Sequence, residues 1–161
     1  MPSSLRSASR IIATVITFSS GFVLAAARTP GPGDACSLLT KEDAAAALGE
    51  TAKGPKATGP MSDEAGATVS GCEYTGSGIH SIQLTLTRLQ ASAVAMYKAM
   101  CDQQGTEDLT GLGDVACWYN AKHAELHAIK GSAFLSIELR RSGDPTEPIK
   151  TVMNRALARL K

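Results

Sequence analysis

Four cysteines, Cys36, Cys72, Cys101 and Cys117, constrain this chain more than any other feature. An even set in an oxidising compartment pairs into disulfides, and four cysteines allow three connectivities. The favoured pairing is Cys36 with Cys72 and Cys101 with Cys117. Each bridge then joins nearest neighbours in sequence and ties a predicted helix, or its approach, to a predicted strand. In the chain-entropy description, loops of about 37 and about 17 residues contribute roughly 4 and 3 kcal/mol to stability. Spacing argues against a metal or redox role: there is no Cys-x-x-Cys, and no histidine lies close in sequence to a cysteine.

The oxidising compartment is inferred from the first residues. Arg6 and Arg10 precede an uncharged apolar run from Ile11 to Leu24, which ends in Ala25-Ala26-Ala27. A basic start, a short apolar core and a small-residue end form a secretory signal, with cleavage expected between Ala27 and Arg28. The run holds about 14 residues where a bilayer span needs about 20, and Thr14, Thr17, Ser19, Ser20 and Gly21 dilute it further, so no stable membrane span is expected. Arg28 stands where an acylated cysteine would follow a lipoprotein signal. Residues 28–161 are therefore expected to form one exported, soluble domain, periplasmic or extracellular. Removing Arg6 and Arg10 lowers the formal charge from +1 to −1, leaving no basic excess for phosphates, and a nucleic-acid partner is not expected.

Along the exported part, Thr40 caps a helix over 41–48, with Asp43 three residues on and Gly49 as its stop. Residues 50–66 carry Gly54-Pro55 and Gly59-Pro60 without periodicity and are expected to be an irregular loop. Strands follow over 69–75 and 79–88, the second alternating Ile82, Leu84 and Leu86 with polar residues. A helix is expected over 91–104, stopped by Gly105, then strands over 115–119, 123–129 and 134–140. A last helix opens near Pro145 and Pro148 and carries Ile149, Val152, Met153, Ala156, Leu157 and Leu160 inward. This pattern predicts an α+β fold of two layers: about five antiparallel strands in the order α-β-β-α-β-β-β-α, with helices on one face and the opposite face partly exposed.

Signs of chemistry are few. Gly111-Leu112-Gly113 opens a strand rather than a helix, so it fails the context of a dinucleotide-binding loop and reads as a tight turn. His123, Glu125 and His127 form the one candidate binding constellation. On a strand, the two histidines lie about 13 Å apart, too far to share one ion, so the spacing is wrong for zinc. Strand alternation places all three on one face, expected to be the wet one, beside Gln83, Thr85, Ser136 or Glu138. No Gly-x-Ser-x-Gly occurs, and no nucleophile can be matched to a histidine from sequence. No catalytic residue, metal or cofactor is expected.

The segments Asp34-Ala-Cys36-Ser-Leu-Leu-Thr40, Gly71-Cys72-Glu73-Tyr74 and Gly111-Leu-Gly-Asp-Val-Ala116, with Trp118 beyond, resemble a pattern in small exported bacterial proteins and lipoproteins of a domain-of-unknown-function family. That family is widespread among actinobacterial lipoproteins. The resemblance spans nearly all of the exported part, supports the Cys36 to Cys72 bridge and implies a cell-envelope setting. It transfers no catalytic residue.

The resulting expectation is a noncatalytic envelope protein that binds a small molecule or an envelope protein through the open sheet face or the 50–66 loop. A hydrolase or metal-dependent enzyme using the His123, Glu125 and His127 face is the alternative. An assembly partner in a larger envelope complex is a third reading.

Overall fold

The computed structural model describes residues 34–62, 64, 66–103 and 109–161. The expected signal segment, its cleavage point and the lead-in up to Gly33 lie outside these residues, as do Gln104 and the expected stop at Gly105.

A short helix, α1 (Ala35–Leu38), leads directly into α2 (Lys41–Leu48). Thr40 and Asp43 form a reciprocal capping box: the Asp43 N–H donates to Thr40 Oγ1 at 3.2 Å and the Thr40 N–H donates to Asp43 Oδ2 at 3.3 Å. Gly49, at φ 72°, ends α2 in the left-handed conformation that a residue without Cβ adopts at least cost. The proline-bearing turn opens α4 (Thr146–Arg159), with Pro148 in the first turn, where its missing N–H is not needed. Ile149, Val152, Met153, Ala156 and Leu157 are buried as its 3.6-residue rhythm requires.

Six strands, rather than five, make one antiparallel sheet: β1 (Lys53–Ser62), β2 (Thr68–Thr75), β3 (Ser81–Arg88), β4 (Val115–Trp118), β5 (Glu125–Lys130) and β6 (Ala133–Arg140), in the order β1-β2-β3-β6-β5-β4. The additional strand occupies the expected loop. β1 is exposed along almost its whole length, so solvent on both sides erases the alternation that marks a strand in sequence. Its pairing with β2 slips between Lys53 and Lys56 and again between Thr58 and Met61. Pro55 and Pro60 fall within these two intervals and have no N–H to give the ladder. Proline is accommodated on an edge strand for that reason, and there it discourages further pairing.

On the first face of the sheet, Ile82, Leu84 and Leu86 of β3 meet Leu135, Ile137 and Leu139 of β6, Leu126 and Ala128 of β5, and Ala116 and Trp118 of β4 beneath α1, α2 and α4. Helices do not keep to this face. The helix α3 (Ala91–Gln103) crosses the second face, where Ala93, Val94 and Tyr97 pack on Leu89, Ile129 and Phe134. Ile129 and Phe134 are apolar residues at positions that alternate away from the main core, and α3 supplies their cover. Among the described residues the fold is thus α+β, with three helices on one side of the sheet and one on the other.

Both bridges form in the favoured connectivity. Cys36–Cys72 ties α1 to β2 and Cys101–Cys117 ties α3 to β4, with Cα separations of 4.9 and 5.4 Å that fall in the usual range. Among the described residues, no helix is long and apolar enough to cross a membrane.

Candidate functional site

The short β5 strand starts at Glu125, and its two-residue period carries Glu125 and His127 to the second face. Register places His127 between Cys117 of β4 and Ser136 of β6. The His127 Nε2–H donates to Glu125 Oε1 at 2.9 Å, and the Ser136 hydroxyl donates to the same oxygen at 2.8 Å. The imidazole also lies 4.9 Å from the Tyr119 ring and 5.0 Å from the Phe134 ring, centroid to centroid. It is therefore enclosed, with only 6 % of the residue exposed, and does not lie on a wet face as expected.

His123 does not join this pair. It sits in the turn before β5 at φ 51°, where its N–H donates to the Asn120 carbonyl at 3.1 Å, so strand alternation does not reach it. Its ring stacks at 4.6 Å on Trp118, which faces the main core, and its Nδ1 is 3.3 Å from Thr146 Oγ1 at the start of α4. The expected constellation is divided between the two sides of the sheet. Among the described residues, no group of three or more His, Cys, Asp or Glu side chains is placed to hold a metal ion.

A row of side chains does assemble around Glu125. Glu125 is the direct cross-strand partner of Glu138, which is in turn paired with Gln83. On the other side, the Tyr119 N–H donates to the Glu125 carbonyl at 2.9 Å, placing Tyr119 next in the row with 47 % of its surface exposed. Like charges directly opposite each other on neighbouring strands oppose sheet formation. Each carboxylate here has a compensating partner: His127 and Ser136 for Glu125, and the Arg140 Nε–H at 2.8 Å for Glu138.

Ser136 and His127 both donate to Glu125, so the carboxylate is their shared acceptor. That is not the relay of a serine nucleophile, in which the hydroxyl gives its proton to imidazole. As they stand, these contacts fix a carboxylate in space and leave it partly exposed at 24 %.

The third histidine, His80, lies beyond the β3 end of the same sheet in a polar cluster that sequence reasoning missed. Its Nδ1 is 2.6 Å from Glu50 Oε1 and its Nε2 is 3.2 Å from Ser142 Oγ. The Ser77 side chain, then His80, then the Ser77 backbone N–H donate to Glu50 and pull its carboxyl down to about 2. Separations of 30 and 62 residues conceal the grouping from any local motif. The Gly76-Ser77-Gly78 turn, which separates the expected strands over 69–75 and 79–88, is its one trace in the sequence.

Comparison of the chain with protein-family models, with curated proteins and with solved structures finds no match. The family resemblance rests on its short motifs alone.

Proposed function

We propose that the chain is an exported envelope protein that binds a small molecule or a protein partner through the second sheet face, by capturing a cationic group on the row of Tyr119, Glu125 and Glu138. The carrying observation is the direct opposition of Glu125 and Glu138 across β5 and β6. Arg140 at Glu138, and His127 with Ser136 at Glu125, already offset the two carboxylates singly, and a ligand's ammonium or guanidinium placed between them would bridge both at once. The neighbouring Tyr119 ring, half exposed, offers its face to the same cation. His127 and Ser136 hold Glu125 in place before any ligand arrives, which reduces the ordering cost of binding. The two disulfides are compatible with an oxidising exterior.

Calorimetric titration with a lysine-rich peptide, against the same peptide acetylated on its lysines, tests this reading. Binding should be confined to the cationic peptide, weaken with added salt and fall about tenfold in Glu138→Gln and in Tyr119→Ala, equivalent to roughly 1.4 kcal/mol each. Equal binding of both peptides would rule out a cationic ligand.

A further inference from the structure

We infer that Ser142, His80 and Glu50 form a nucleophile, base and orienting carboxylate able to hydrolyse small carboxylic esters at the end of the sheet next to α2. This inference stands apart from the binding row, with which it shares no residue. Three separate segments converge to make the centre: Glu50 follows the glycine that ends α2, His80 leads into β3 and Ser142 follows β6.

The decisive feature is the order of contacts around the imidazole. Glu50 takes the Nδ1 side at 2.6 Å, and a carboxylate there accepts from Nδ1–H. That fixes the proton on Nδ1 and leaves the Nε2 lone pair facing Ser142 Oγ at 3.2 Å. The roles match those of a hydroxyl nucleophile with an oriented base. At His127 the same three residue types are wired differently, with both hydroxyl and imidazole donating to the acid. Only the His80 cluster can draw a proton from serine.

The surroundings hold this geometry. A Cβ on Gly76 would stand 2.4 Å from Glu50 Oε1, so the absence of a side chain there lets the carboxylate reach His80. Ser77 fixes that carboxylate and keeps it ionised. The Arg141 Nε–H donates to the carbonyl of Ser142 at 3.0 Å, which places a guanidinium beside the nucleophile, while NH1 is bound to the Ala47 carbonyl. Ser142 itself is exposed, so a small ester can reach it.

In the reaction, Ser142 Oγ adds to the ester carbonyl as its proton passes to His80 Nε2. The tetrahedral oxyanion collapses, the C–O bond to the alcohol breaks, and the leaving alkoxide takes that proton. Water, giving a proton to His80 Nε2, then adds to the acyl carbonyl; the acyl–Oγ bond breaks, His80 returns that proton to Ser142 Oγ, and the acid leaves. No redox partner is required.

Purified, disulfide-intact protein treated with a fluorophosphonate should become labelled on Ser142, read by peptide mass spectrometry, and should hydrolyse p-nitrophenyl acetate. Ser142→Ala should abolish both, with an unchanged melting temperature because the residue is exposed. His80→Gln should slow both by about a hundredfold or more. Gly76→Ala tests the positioning role: kcat should fall with KM unchanged, as in Glu50→Gln. An unlabelled Ser142 in the folded wild type, or labelling that proceeds equally in His80→Gln, would overturn the inference and reduce the cluster to a structural clasp.

Discussion

Asp43 shows how much one side chain can join. Its backbone N–H and carboxylate complete the α2 capping box, while the same carboxylate, on a residue only 2 % exposed, accepts from Arg155 NH1 at 2.8 Å and from Arg159 of α4. Burial alone would raise its pKa, but Arg159, Arg155 and Thr40 together hold it down at about 2, against an ordinary 3.8. A depressed folded-state value means that the stabilisation is complete above the unfolded value near 3.8 and is lost as pH falls through about 2. Urea titrations should record a loss of about 2 kcal/mol across that window in the wild type. The window should flatten in Asp43→Asn, which is also expected to be destabilised by about 2–4 kcal/mol at neutral pH because the two arginines lose their counter-charge. The capping role was legible, since Thr40 and Asp43 are three apart. The arginine partners, 112 and 116 residues away, were not. The histidines divide in the same way: a two-residue period was enough to pair Glu125 with His127, but nothing local announced that His123 would turn back onto Trp118.

Among the elements, the two that sequence placed least well are those with the least core. β1 has no buried face to impose a pattern, and α3 lies on a patch of three buried residues, Leu89, Ile129 and Phe134. The helical rhythm of Val94, Tyr97 and Cys101 predicts a helix but not which side of the sheet it will cover. Cys101 carries much of its attachment, so Cys101→Ser with Cys117→Ser should free the helix. Hydrogen exchange should accelerate through residues 91–103 with little change in β2 and β3, and global stability should fall by about 3 kcal/mol. Removing Cys36 and Cys72 should instead loosen α1 and α2, and unchanged protease resistance there would contradict the pinning role. In β1, a Cβ on Gly59 would stand 2.5 Å from the Val69 carbonyl at φ 82°, so Gly59→Ala should unpair part of the strand. The expected cost is about 1–3 kcal/mol, with new proteolytic cleavage within residues 53–62.

At the scale of the molecule, capping signals and hydrophobic periodicity revealed α2, α4 and most of the sheet, and cysteine spacing revealed both cystines, whereas the four-residue α1 is too short to show a rhythm. The full strand order could not be read the same way, because each meander is specified locally whereas their union is not. β1, β2 and β3 form one antiparallel run and β4, β5 and β6 another. They meet only where Ser81–Arg88 lies along Ala133–Arg140 in an unbroken register of eight residue pairs.

Neither cystine crosses that seam: Cys36–Cys72 closes within the first half and Cys101–Cys117 within the second. Severing the backbone between the exposed Gln90 and Ala91 would therefore leave two pieces, each internally stapled and joined to the other by no covalent bond. The β3–β6 ladder, the shared apolar layer, the Asp43 clamp to α4 and side-chain bonds such as His80 to Ser142 and Arg141 to the Ala47 carbonyl then hold them without a covalent link. Residues 34–90 and 91–161, produced as separate chains, should reassemble into one particle that urea divides in two, making this small domain a natural two-piece assembly written on a single chain.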